Sequence, residues 1–219
     1  MSIDQMMAGS ATLLVAVLLA VVTVGAGGVR ADQLLGPAAA GPIDARDPVL
    51  RDALARIARG SASWRSAMTA VAATGRRAVV LTPADVLILP DGATAPVPFD
   101  TAEVAGVAPL ADAGGAVSVV VVVVNVAALE AAHERRGSLP AEFHGDLDRV
   151  LAHEVYGHAV PYLLAGHLGG RCGDPEPGQP AADACAIKRE NLVRAELRLG
   201  RRTDRALMGL DLSRALYWR

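Results

Sequence analysis

The feature that most constrains the fold is an aliphatic run at residues 117–126, Val-Ser-Val-Val-Val-Val-Val-Val-Asn-Val. Because β-branched side chains favour an extended backbone, this run predicts a strand. A strand with one face in water alternates apolar and polar residues, and this run does not. We therefore expect a core strand covered on both faces. The alternative is that the strand and Asn125 offer an edge to which an extended peptide adds.

Shorter sequence patterns on either side of this strand indicate the fold class. Apolar residues recur at helical spacing after Asp47-Pro48, a typical helix start. Short aliphatic runs bounded by proline and glycine predict further strands. The expected elements are helices over about residues 48–57, 64–73, 127–136, 146–168 and 181–199, and strands over residues 78–81 and 86–89. This order predicts a compact α+β domain with a small β-sheet.

The N-terminal segment predicts export or anchoring. Residues 11–29 carry no charge and have no polar face, unlike a soluble core helix. The run is about long enough to cross a bilayer. It is either a signal peptide cleaved before Asp32 or an uncleaved membrane anchor. The flanking charges, Asp4 before it and Arg30 after it, suit neither the usual signal peptide nor the usual orientation.

We therefore expect residues 1–31 to be a signal peptide or membrane anchor and residues 32–219 to form one domain. The protein would then be secreted or membrane-anchored and extracytoplasmic. The alternative is a hydrophobic helix buried in a cytosolic protein. A formal net charge of −2 and an aromatic content of 3% argue against a nucleic-acid partner.

The segment His153-Glu154-Val155-Tyr156-Gly157-His158 carries the clearest chemistry. A helical His-Glu-x-x-His places two imidazoles on one face for zinc, with the Glu as general base. Here the histidines are five residues apart instead of four. On an ideal α-helix that spacing leaves the two rings roughly 140° apart.

Two neighbouring residues favour a local change of helix geometry. Gly157 tolerates a distorted backbone, and Pro161 lacks the N–H that an α-helix would pair with the carbonyl of Gly157. A π-bulge at this point would return His153 and His158 to one face, and such bulges are common at functional sites.

This motif resembles the HExxGH motif of the dipeptidyl peptidase III family of zinc peptidases. With its flanks, residues 151–159, it is also similar to the zinc helix of bacterial effector and toxin-type metallopeptidases. The resemblance covers the last third of the chain and does not extend to the large dipeptidyl peptidase III scaffold. It implies a zincin-like domain with Zn²⁺ held by His153 and His158, Glu154 as catalytic base, and a peptide or protein substrate. It also implies the gluzincin arrangement, in which a downstream helical glutamate is the third ligand.

Glu190 is the candidate for that third ligand. On a helix it shares a face with Ile187, Val193 and Leu197, where a carboxylate is costly to bury unless it is paired or binds a metal. The alternative is a surface ion pair with Arg194, one turn on. Glu196 instead falls nearer Arg189, which predicts a solvated ion pair.

The two cysteines, Cys172 and Cys185, flank a segment rich in proline and glycine. In an exported protein they predict a disulfide, which would stabilise the fold by roughly 3 kcal/mol in the chain-entropy model. Two free thiols are the alternative.

A second His-Glu pair, His133-Glu134, has no histidine four or five residues on, and we interpret it as part of a solvated helix face. Three hypotheses for function follow. The first is an active zinc metallopeptidase. The second is a non-catalytic metal-binding protein, and the third is a membrane-anchored interaction domain without metal.

Overall fold

A computed structural model of the chain describes residues 41–88, 94–97, 99, 103–111, 114–167 and 181–202. The hydrophobic run at residues 11–29 lies outside these ranges, so its role as signal peptide or anchor stays a prediction. Among the helices in these ranges, none is both long enough and apolar enough to cross a membrane.

The described elements begin with a strand and two helices, continue with five strands, and end with helices. In chain order they are β1 (Ile43–Ala45), α1 (Pro48–Gly60), α2 (Ala62–Ala73), β2 (Arg77–Leu81), β3 (Val86–Ile88), β4 (Thr94–Pro96), β5 (Ala105–Ala111), β6 (Val117–Val124), α3 (Val126–Arg136), α4 (Pro140–Leu151), a π-helix (Ala152–Ala159), α5 (Val160–Ala165) and α6 (Ala181–Glu196). The predicted α+β class is confirmed.

Four strands form the main sheet, in the order β1-β2-β6-β5. Strands β1, β2 and β6 run parallel, and β5 is antiparallel to β6. Strands β3 and β4 pair as a separate antiparallel ribbon. Helices α1 and α2 connect β1 to β2, whereas the described elements between β2 and β6 are the strands β3, β4 and β5.

The valine-rich strand β6 lies between β2 and β5, so the predicted core strand is confirmed. Val120, Val122 and Val124 pack into the large core that the helices build. Val119, Val121 and Val123 belong to a second cluster on the other face. The alternative of a free docking edge is wrong, because β6 is paired on both sides. Asn125 instead caps α3, its side-chain oxygen 3.1 Å from the amide nitrogen of Ala128.

The helix starts follow from capping groups in the sequence. Asp47 accepts hydrogen bonds from the amides of Val49 and Leu50, at 2.7 and 3.1 Å, and so begins α1. Helix α4 begins at Pro140, six residues before the predicted start at 146. Proline suits the first turn of a helix, where its missing N–H has no partner to lose. Pro140 therefore starts a helix that is longer at its N-terminal end than the predicted range.

Helix α4, the π-helix and α5 follow one another without a gap, and the π-helix in the middle is almost entirely buried. Helix α6 packs along the π-helix at its centre, where Ala186 contacts Gly157. This contact brings the two halves of the predicted site together, because one helix carries the histidines and the other carries Glu190.

Candidate metal centre

The turn that carries the histidines is a π-helix over Ala152–Ala159, so the predicted bulge is confirmed. Its bonds link each N–H to the carbonyl five residues back, and the last runs from Val160 to Val155. The Nε2 atoms of His153 and His158 lie 3.1 Å apart, with the ring planes nearly perpendicular. Residues five apart on a π-helix therefore lie on one face, as residues four apart do on an α-helix.

Gly157 has a second role, in the packing of α6 against the π-helix. A Cβ at this position would lie 3.0 Å from the Cβ of Ala186 and 3.1 Å from both its Cα and its carbonyl oxygen. Gly157 does not have a positive φ. The distorted backbone that we expected Gly157 to tolerate is that of the π-helix, and the lack of a Cβ also permits close approach of α6.

Glu190 is fully buried on α6 and contacts the histidine pair. Its Oε2 atom lies 2.9 Å from Nδ1 of His153. Its Oε1 atom accepts a hydrogen bond of 2.6 Å from Nη1 of Arg194. The predicted Glu190–Arg194 pair thus forms together with the histidine contact. It is a buried pair, since Arg194 is only 2% exposed, and not a surface one.

A second arginine, Arg202, completes this cluster. Its Nη1 atom lies 3.3 Å from Oε2 of Glu190 and 3.4 Å from Nδ1 of His153. The side chain of Asn191 fixes the backbone of Arg202 through two hydrogen bonds of 2.8 Å, one donated and one accepted. Sequence analysis did not find Arg202, because it follows α6 and no helical periodicity links it to Glu190.

The charges of the cluster favour an ionised Glu190 and a neutral His158. Burial alone would raise the pKa of Glu190, but the hydrogen bond and charge of His153, together with Arg194, lower it below its usual value. Burial, reinforced by the charge of His153, lowers the pKa of His158 to about 3. A neutral imidazole is the form that binds a metal.

Glu154, the predicted general base, is on the π-helix next to His153 and is 8% exposed. Across the ranges that the structure describes, no three His, Cys, Asp or Glu side chains converge as ligands of one metal. His153, His158 and Glu190 do not face one common point, because Glu190 lies against Nδ1 of His153 and His158 lies against its Nε2.

The predicted disulfide stays a prediction, since Cys172 lies outside the described residues. Cys185, on α6, is partly buried. Our interpretation of His133 as part of a solvated face was wrong, because His133 is 5% exposed and its Nε2 lies 3.1 Å from Oδ2 of Asp146. Its neighbour Glu134 is exposed.

Comparisons with known proteins add no further assignment. No protein-family model, no curated protein and no solved structure matches this chain. The candidate centre therefore has to be judged on its own geometry.

Proposed function

We propose that this chain is a zinc metallopeptidase whose zincin-like domain spans residues 32–219. His153, His158 and Glu190 would hold Zn²⁺, and Glu154 would be the general base. The observation that carries the proposal is the π-helix, which sets two imidazole nitrogens 3.1 Å apart beside a fully buried carboxylate. The hydrophobic run at residues 11–29 supports a secreted or membrane-anchored, extracytoplasmic location.

The histidine pair fits a zinc ion. Two nitrogens that are each about 2.0–2.1 Å from one zinc lie roughly 3.3 Å apart at the tetrahedral angle. The Nε2 atoms of His153 and His158 are 3.1 Å apart, which needs only a slight adjustment. Neutral imidazole, the form favoured at His158 by its lowered pKa, supplies the lone pair.

Glu190 faces the other nitrogen of His153: its Oε2 atom lies against Nδ1, whereas His158 lies against Nε2. Binding of one zinc by all three groups would therefore need these side chains to change rotamer as the metal enters. The proposed role of Glu190 as third ligand rests on its full burial beside His153 and on the chemistry of its carboxylate.

Glu154 would act on the attacking water. It accepts a proton as the water oxygen bonds to the scissile carbonyl carbon, and it returns that proton to the amine when the C–N bond breaks. Zinc, when bound, supplies an acidified water and polarises the carbonyl. Glu154 lies next to His153 on the same π-helix and is 8% exposed, which supports this role.

A second candidate is a structural polar cluster without metal, as in the hypothesis of an interaction domain. The specific observation in its favour is that Glu190 already has His153, Arg194 and Arg202 as partners. A buried carboxylate with such partners needs no metal to be stable. Metal content and hydrolysis therefore have to be measured together.

The test uses the full-length chain, reconstituted with zinc, in the wild type and the Glu154→Gln and His158→Ala variants. We expect about one zinc per chain in the wild type and in Glu154→Gln, and a large loss in His158→Ala. Cleavage of a peptide library, read by mass spectrometry, should occur in the wild type alone. A wild type without zinc, or cleavage that persists in Glu154→Gln, would overturn the proposal.

A further inference from the structure

The carbonyl of Tyr156 lies at a gap in the π-helix. Each carbonyl of such a helix accepts from the N–H five residues on. The last of these bonds joins Val155 to Val160. The next acceptor is Tyr156, and its donor would be residue 161, which is proline and has no N–H.

Arg189 on α6 supplies the missing donor. Its Nε atom donates a hydrogen bond of 2.9 Å to the carbonyl of Tyr156. The guanidinium carbon also lies 4.8 Å from the centroid of the Tyr156 ring, a cation–π contact. One side chain thus binds both the backbone and the ring of the same residue.

An α-helical register offers this segment no simple alternative. In that register residue 161 would pair with the carbonyl of Gly157, and proline both lacks the donor and clashes with that carbonyl. Gly157 packs against Ala186 and so brings the two helices together, but neither residue has a side chain that can donate a hydrogen bond to the carbonyl of Tyr156. The hydrogen bond from Arg189 supplies the carbonyl of Tyr156 with the donor that Pro161 cannot provide.

We propose that Arg189 is a positioning residue, which replaces the hydrogen bond that Pro161 cannot donate and so maintains the turn that aligns His153 with His158. Arg189 precedes Glu190 on α6, so one helix brings both the candidate ligand and the donor that holds the other two ligands in place. The consequence for zinc rests on the proposed function, whereas the effect on the turn does not.

The test compares Arg189→Met, which keeps an unbranched apolar stem and removes the donor, with Arg189→Lys, which keeps a charge and a donor. The matched control is Arg65→Met, because Arg65 also donates to backbone carbonyls, those of Ala58 and Arg59 at 2.7 and 3.1 Å. Two quantities are measured on the full chain: amide hydrogen exchange of Val160 without metal, and the dissociation constant for zinc.

In Arg189→Met we expect faster exchange at Val160 and zinc binding weakened about 10- to 100-fold, the range seen when groups that orient metal ligands are removed. Arg189→Lys should recover part of both losses, and Arg65→Met should change neither by more than about twofold. The absorption spectrum of the Co²⁺ form should shift in Arg189→Met, which a general loss of stability would not cause.

Exchange at Val160 and zinc affinity equal to those of Arg65→Met would overturn the role of Arg189. If the wild type binds no zinc, the proposed function fails, but the exchange comparison still decides whether Arg189 maintains the turn. If Arg189→Met does not fold, the same exchange measurement on Arg189→Lys decides, and an unchanged Val160 overturns the role.

Discussion

The chain contains two His-Glu pairs, and they lie on helices of different geometry. His133-Glu134 is near the end of the regular helix α3, which Gly137 terminates with a positive φ of 64°. His153-Glu154 is on the π-helix. On α3 no second histidine shares the face of His133, whereas the longer period of the π-helix brings His158 to His153. The backbone around the pair therefore decides what the pair can do.

The two histidine sites also share one feature, which is therefore not by itself evidence of a metal centre. Both His133 and His153 are buried, at 5% and 1% exposed, and each lies against a carboxylate with an arginine behind it. Asp146 pairs with His133 and Arg149, as Glu190 pairs with His153 and Arg194. A buried histidine with such a partner is thus a repeated structural device in this fold. The candidate metal centre differs from it in having a second histidine on a π-helix and a second arginine, Arg202.

The largest difference between the two sites should appear when the carboxylate is removed. Glu190→Ala leaves Arg194, Arg202 and His153 buried without their partner and should cost about 3–5 kcal/mol of unfolding free energy. Asp146→Ala should cost about 1–3 kcal/mol, because the Arg149 side chain it leaves is 19% exposed and can reach water. Urea unfolding of the metal-free proteins checks this order. A larger loss of unfolding free energy in Asp146→Ala than in Glu190→Ala would contradict it.

Substitutions of Gly157 and Gly137 test two different roles of glycine, close packing and backbone conformation. Gly157→Ala places a methyl group against Ala186 and should cost about 1–3 kcal/mol, with weaker zinc binding because α6 must shift. Gly137→Ala has open space around it but a positive φ, and should cost about 1–2 kcal/mol with no effect on zinc. Thermal unfolding and zinc titration test both, and equal zinc affinities would contradict the packing role of Gly157.

The smallest expected effect is a pH dependence at Asp146. Burial raises the pKa of Asp146 above its ordinary value of 3.8, although Arg149 and His133 oppose the rise. The stabilisation from its protonated form is complete below pH 3.8 and is lost as pH rises through the folded-state pKa. Asp146→Asn cannot titrate at this position, so its stability relative to the wild type should increase as the pH rises over that interval. A flat difference, measured by urea unfolding at several pH values, would contradict this sign.

Sequence alone could predict those parts of the molecule that depend on local chemistry. The valines of β6 predicted a strand covered on both faces, and Gly157 with Pro161 predicted the position of the bulge. The approach of Glu190 to His153 could also be predicted, because a carboxylate on an apolar helix face indicated a buried partner. Other contacts between distant elements could not be predicted in this way. Glu196 accepts hydrogen bonds from Ser61 and Ser63 instead of pairing with Arg189. His133 is buried because α4 places Asp146 beside it, which no pattern within α3 reveals.

The most direct test of the metal centre is the number of imidazoles bound per zinc. X-ray absorption fine structure on the zinc-loaded full chain can count them in the wild type, in His158→Ala and in His133→Ala. The geometry predicts two imidazoles in the wild type and in His133→Ala, and at most one in His158→Ala with much weaker binding. One imidazole or none in the wild type, or a loss in His133→Ala equal to that in His158→Ala, would contradict a metal centre built on the π-helix.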